Sequence, residues 1–96
     1  MFVLALEVEA HLPASRSLKD KRQVLRSVLD TARRRYAVAA AEVGFQDLWQ
    51  RTALGFATVS SSTAHATEVM DEVERMLWAQ GGLEVVRSDR SWLESD

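Results

Sequence analysis

The 96-residue sequence contains no cysteine, one proline, four glycines and no long hydrophobic run. The lack of cysteine excludes disulfides, thiolate nucleophiles, iron–sulfur clusters and thiolate zinc sites. No stretch approaches the roughly 20 apolar residues that a membrane-spanning helix needs. The opening segment MFVLALEVEAHLP lacks a basic leading region and carries Glu7 and Glu9 early, which argues against a signal peptide. We therefore expect a cytoplasmic protein that does not contact membranes.

Recognised catalytic motifs are also missing. The sequence has no P-loop, no GxGxxG turn, no zinc-ligand pair and no nucleophile elbow. Its length suits one globular domain, residues 1–96, but is short for a catalytic domain with an enclosed cleft. We therefore predict a single domain that is not an enzyme and has no cofactor.

Positive charge is concentrated in one segment of a chain whose net charge is −2. Residues 11–36 contain eight Lys and Arg against two Asp, whereas the rest contains four Arg against 12 acidic residues. Such asymmetry favours an anionic partner, or docking of the basic side of one copy on the acidic side of another.

Hydrophobic periodicity and turn residues predict the order βαββαβ. The predicted elements are strand 2–10, helix 18–35, strands 36–43 and 51–60, a second helix ending at Gly81 and Gly82, and strand 83–94. Ser17 and Asp20 suggest a capping box for the first helix, and serines 60–62 offer an N-cap to the second. The order predicts an α+β ferredoxin-like fold, a four-stranded antiparallel sheet with two helices on one face.

The first helix combines an apolar face with a line of cations. At 100° per residue, an arc about 60° wide contains four basic residues, with two more nearby. We call the four the basic ridge: Lys19, Arg22, Arg26 and Arg33, with Arg34 and Arg35 beside it. These residues could neutralise several phosphates of a nucleic acid. The alternative is a solvated face paired with the surplus carboxylates of the protein.

Lys21 belongs to neither surface of this helix. It projects toward the apolar side near the first turn, where its amine must reach water or meet a carboxylate. Glu7 and Asp47 are the candidate partners.

The sheet face without helices is predicted to carry Glu7 and Glu9 from the first strand. These carboxylates repel phosphate, so we assign the open face to self-association as a homodimer rather than to RNA. Leu54 and Phe56 are possible apolar contacts there, and burial of both in the core fits the alternation equally well.

Glu7, Glu9 and His11 share one strand face at alternate positions. Their spacing of roughly 7 Å along the strand is wide for a first shell of metal ligands. We favour a plain polar face over a metal site. His65 stands alone at a helix start and is expected to be structural or exposed.

The segment GFQDLWQ joins two predicted strands and is too long for a tight hairpin. Binding residues often lie on such loops. The candidate partner-binding residues are Gln46, Asp47, Trp49 and Gln50. Trp49 either forms a recognition tip, which contacts protein or stacks on a base, or folds back as a hydrophobic plug.

Three segments, HLPASRSLKDKRQVL, AEVGFQDLWQRTALG and VSSSTAHATEVMDEV, resemble the bacterial YlxP family, a domain of unknown function. The likeness covers nearly the whole chain. It implies a ferredoxin-like fold, and the frequent position of these genes beside those of translation factors implies a link to RNA or the ribosome. Relatives tend to have an acidic residue and His before QDLW, where this chain has Gly44 and Phe45.

The function expected from these observations is a non-catalytic, RNA- or ribosome-associated accessory protein that binds through the basic ridge. The alternative is a protein-interaction or self-assembly module that binds no nucleic acid.

Overall fold

The computed structural model describes residues 1–94, so the last two residues of the predicted domain lie outside the described part. The elements are β1 (Phe2–His11), α1 (Leu18–Tyr36), β2 (Ala39–Gly44), β3 (Arg51–Ser60), α2 (Thr63–Ala79) and β4 (Glu84–Glu94). The strands form one antiparallel sheet in the order β2-β3-β1-β4. The predicted α+β ferredoxin-like fold is confirmed.

The core lies between the two helices and one face of the sheet. Alternate residues of β1, together with one stripe of each helix, form a single buried cluster. The helix residues in it are Leu25, Val28, Leu29 and Ala32 of α1, and Ala66, Met70, Val73 and Leu77 of α2. Because both helices bury their stripes against the same side, the other face of the sheet has no covering layer in residues 1–94. We call it the open face.

The boundaries of α1 follow from local chemistry. The Ser17 hydroxyl accepts a hydrogen bond from the backbone N–H of Asp20 at 3.0 Å, as a capping box requires. The Asp20 carboxylate accepts from the N–H of Arg16 at 2.9 Å, one residue earlier than the standard motif. At the other end, Ala37 adopts a left-handed conformation with φ of 53°. This C-cap delays β2 until Ala39, three residues later than predicted.

The possible assignment of Leu54 and Phe56 to the open face is wrong. Both side chains are buried in the core, and the positions that flank them on the open face carry the small residues Ala53, Gly55 and Ala57. The predicted alternation of side chains along β3 is present. The larger apolar side chains face the helices, where they fill the core.

Arg90 of β4 links the sheet edge to α2. Its guanidinium lies 2.9 Å from Asp71 Oδ1 and 2.7 Å from Glu74 Oε1. Burial alone would lower the pKa of Arg90, but the hydrogen bonds to Glu74 and Asp71 outweigh that effect and raise the pKa above its usual value. Neither helix in the described part of the chain is long and apolar enough to cross a membrane.

Candidate functional site

The N-terminal half of the basic ridge consists of unneutralised cations. Lys19, Arg22 and Arg26 are exposed on one flank of α1. Within residues 1–94, no carboxylate lies within salt-bridge distance of any of the three. The alternative of a basic face paired with the protein's own carboxylates therefore does not describe this half of the ridge.

Arg33, at the C-terminal end of the ridge, and its neighbour Arg34 are held by internal contacts. Arg33 lies 3.1 Å from the Asp30 carboxylate and donates to the carbonyl of Ala40 on β2 at 2.6 Å. Arg34 donates from Nε to the backbone carbonyl of Asp30 at 3.3 Å. Arg33 thus ties α1 to the edge strand of the sheet, and its charge is partly neutralised.

Arg35 lies apart from the ridge. It lines a depression between the two helices that also contains Glu72 and Arg75 of α2, and its guanidinium is 5.7 Å from the centre of the Tyr36 ring. The six predicted nucleic-acid-binding residues therefore divide into three cations without an ion-pair partner among residues 1–94, two residues with internal contacts near Asp30, and one beside α2.

Lys21 occupies the centre of a buried polar network. Its amine lies 2.8 Å from Glu42 Oε2 and donates at 2.7 Å to each of the carbonyls of Phe45 and Leu48. Thr52 donates to the same Glu42 oxygen at 2.6 Å. Because an ammonium has three donors, all of its hydrogen-bonding capacity is used.

The proposed partners of Lys21, Glu7 and Asp47, are therefore wrong. Glu7 is on the open face, on the opposite side of the sheet, and Asp47 is exposed on the loop whose backbone Lys21 binds. Lys21 contributes to the candidate site indirectly, since it fixes the backbone of residues 45–48 from inside.

The loop between β2 and β3 forms one end of the molecule together with the loop after β1. We call residues 12–16 and 45–50 the loop end. Gln50 joins the two loops by donating from Nε2 to the carbonyls of Pro13 at 3.3 Å and Ser15 at 3.0 Å. The backbone N–H of Leu12 donates to the carbonyl of Gln50 at 3.0 Å. The predicted protruding loop is present, and it is tied to its neighbour by three hydrogen bonds.

A groove of about 550 Å³ opens at the loop end. Its lining includes Asp47, Trp49 and Gln50 of the predicted partner-binding set, and His11, Arg51 and Glu84 from the adjoining strands. Gln46 is exposed outside this lining. Trp49 is 53% exposed and Leu48 48% exposed, so Trp49 is not folded back as a core plug.

Phe45 shapes the start of this loop. It adopts a left-handed conformation with φ of 57°, which a bulky side chain rarely takes. The Arg51 guanidinium lies over its ring, 4.0 Å from the centre, and also lies 2.9 Å from Glu9 Oε2. The cation–π contact with Arg51 stabilises this placement of Phe45 against its backbone strain.

The described residues contain no group of three or more His, Asp and Glu that could hold a metal ion. Among Glu7, Glu9 and His11, Glu9 forms an ion pair with Arg51 at 2.9 Å.

Glu42, Thr52 and Arg51 were not identified as site residues from the sequence. One signal for Glu42 exists, because strand alternation places it on the same face as Ala40, toward the core, where a carboxylate requires a cation. Arg51 carried no such signal, since its contact with Phe45 depends on how the loop turns.

Residues 3–90 match the family described as "Protein of unknown function (DUF503)". The sequence is 39% identical over 67 residues to the uncharacterized protein YlxP of Bacillus subtilis (strain 168), covering 70% of this chain and 73% of that protein. Among solved structures, the chain is similar to the de novo designed protein Foldit4, with a TM-score of 0.58 and 6% identity over 100% of both chains. A second designed protein, Ferredog-Diesel, has a TM-score of 0.46 and 12% identity over 93% of this chain and 83% of its own. At these identities, the likeness to Foldit4 concerns the fold alone.

Proposed function

Because the chain belongs to the DUF503 family, whose function is unknown, we propose its function from its own surface: a small, non-catalytic accessory protein that binds RNA through Lys19, Arg22 and Arg26. Ribosomal RNA is one candidate ligand. The observation that carries the proposal is the set of three exposed cations on one helix flank without a carboxylate partner among residues 1–94.

The spacing of the three cations suits a phosphate backbone. Seven residues of helix separate Lys19 from Arg26, which corresponds to about 10.5 Å along the helix axis. In double-stranded DNA, successive phosphates of one strand rise by about 3.4 Å, so a nucleic-acid backbone offers roughly three phosphates over this length. The open face is a poor alternative for RNA, because its accessible charges include the carboxylate of Glu7.

We expect the affinity for RNA to fall with salt. Three phosphate contacts to a single strand predict a slope of log K against log salt of about −2. Replacing Arg22 and Arg26 by Gln removes two of the three contacts, so the slope should become about −0.7. Fluorescence anisotropy with labelled single-stranded and hairpin RNA measures both slopes.

The charge-reversal variant Arg22→Glu/Arg26→Glu should abolish binding in the same assay. Its matched control is Arg75→Glu/Arg87→Glu, which changes the net charge equally at two exposed arginines outside the ridge. The control variant should bind RNA within a few fold of the original protein. Equal loss in both variants, or no binding by the unchanged protein at low salt, would contradict the proposal.

A second candidate function rests on the loop end. Leu48 and Trp49 are exposed on a backbone that Lys21 and Gln50 hold in place. Exposed apolar side chains on a rigid loop are typical of contacts with a partner protein. The groove beside them also has the carboxylates of Asp47 and Glu84, which suits a segment with apolar and basic residues.

Trp49→Ala distinguishes the two candidates. If the loop end binds a protein, this change should weaken capture of that protein from native lysate by more than tenfold and leave RNA affinity unchanged. Capture is compared with and without nuclease, since a partner held through RNA disappears after the treatment. If the partner survives nuclease but binds Trp49→Ala equally well, the loop end is not its site.

A further inference from the structure

The open face changes from apolar to charged along the strands. Cross-strand pairing places Val3 of β1 beside Val59 of β3 and Leu93 of β4. We call these three the raised row. The next row toward the loop end is the recessed row, which consists of Ala39, Ala57, Ala5 and Ser91. Glu7 and Asp89 follow in the third row.

The two rows differ in height. Val59 and Leu93 are 64% and 63% exposed, although each lies on a regular strand. Beside them, the small side chains of the recessed row lie in a shallow depression of about 560 Å³. The depression continues over Ala41 and Gly55. A contiguous patch of large exposed apolar side chains beside a shallow recess is typical of a surface that another molecule covers.

We propose that a second copy of this chain covers the open face, with the raised row of each copy lying in the recessed row of the other. The rows are adjacent and run in the same direction across the sheet. A twofold axis parallel to the rows and between them therefore exchanges raised and recessed rows reciprocally, which is the condition for an isologous interface. In this arrangement Val59 packs on Ala57 of the partner copy, and Val3 packs on its Ala5.

The charges of the open face favour a second copy over a nucleic acid. Among residues 1–94, the two arginines of this face are already paired, Arg51 with Glu9 at 2.9 Å and Arg87 with Asp89 at 2.8 Å. Glu7 has no such cation within the described residues. A phosphate backbone would therefore meet apolar side chains and a carboxylate, whereas a second copy meets its own apolar rows.

The overlap sets the strength of the dimer. Four strands about 4.8 Å apart and two overlapping rows, each about 6.7 Å along the strands, give a projected area of about 250 Å² per copy. A standard interface buries about 800 Å² per partner, so the dimer should be weak and concentration-dependent.

Sedimentation velocity and light scattering of the full chain, from micromolar to millimolar concentrations, test the proposal. The mass should rise from that of the 10.8 kDa chain toward twice that value. Raising the salt concentration should leave the dimer unchanged or strengthen it, because apolar contacts carry it. A dimer that weakens as salt is added would indicate docking of a basic surface on an acidic one, and it would overturn the proposed packing.

Three variants locate the interface. Val59→Glu should remain monomeric at every concentration, whereas the matched control Val86→Glu, 53% exposed but outside the rows, should dimerise like the original chain. Ala57→Met keeps the face apolar but fills the recess, so it should also weaken the dimer at least tenfold. Thermal unfolding verifies that each variant is folded.

These variants also distinguish the proposed packing from nonspecific hydrophobic association. Ala57→Met would strengthen nonspecific association because it adds apolar surface. A chain that is monomeric at millimolar concentration, or dimers of Val59→Glu or Ala57→Met as strong as the original, would overturn the proposal. None of these outcomes bears on RNA binding, since the basic ridge lies on the helix side.

Discussion

Replacing Lys21 by Met is expected to lower the free energy of unfolding by about 3–5 kcal/mol. Lys21 is 1% exposed, and its amine contacts the Glu42 carboxylate and donates to the carbonyls of Phe45 and Leu48. Methionine has similar length and apolar character, so packing is preserved. The loss arises because a carboxylate and two carbonyls stay partly buried without a donor. Chemical denaturation followed by circular dichroism measures the difference.

Two further variants distinguish this network from a general effect of removing a lysine. Lys19→Met, on the exposed flank of the same helix, should change stability by no more than about 0.5 kcal/mol. Lys21→Met/Glu42→Leu should recover part of the loss, because the carboxylate is removed with its cation. In Lys21→Met, hydrogen exchange of residues 45–50 should accelerate before that of the core. Equal stability of the Lys21 and Lys19 variants would mean that the buried network contributes nothing.

Phe56→Ala should destabilise the protein by about 3–5 kcal/mol, since it leaves a cavity in the core. Phe56 is buried between the sheet and the helices, whereas Val59 on the same strand faces the other way. Val59→Ala is the matched control, and its cost should stay below about 1 kcal/mol when measured on dilute protein. Thermal and denaturant unfolding of both variants provides the comparison.

The two variants also decide the orientation of β3. If Val59→Ala proved as costly as Phe56→Ala, the strand would have to bury both faces. A negligible effect of Phe56→Ala would place that side chain outside the core.

Helix and strand order was predictable from the sequence because periodicity and capping are local. Ser17 predicted the start of α1, and the helix was placed to within one residue at each end. The start of β2 was missed by three residues, because nothing in the sequence marks Ala37 as left-handed where glycine is usual.

The position of a strand follows from its own residues, but the face that packs on the core depends on contacts with other elements. Alternation divides β3 into two faces but does not state which one the helices cover. Side-chain volume would have helped, since Leu54 and Phe56 alternate with Ala53, Gly55 and Ala57. The bulky set is the one that can fill a core.

The candidate site was predictable only in part, because contacts between elements decide it. The helical wheel correctly placed Lys21 toward the interior, but its partner Glu42 comes from a strand that the wheel does not contain. In the same way, Arg33 has the angular position of a ridge residue, and the nearby carbonyl of Ala40 changes its role. Which cations are free to bind a ligand is therefore a property of the tertiary structure.

The basic ridge and the raised row lie on opposite sides of the same sheet. A pair of chains joined through their open faces would have four layers, with the two ridges on the flanks of helices in the two outer layers. With about 10 Å between successive layers, the two helix layers that carry the ridges would be roughly 30 Å apart. Such a pair cannot place both ridges on one short stretch of RNA, so it would act as a bivalent cross-link between two segments. Its avidity would then depend on the length of RNA that joins those segments.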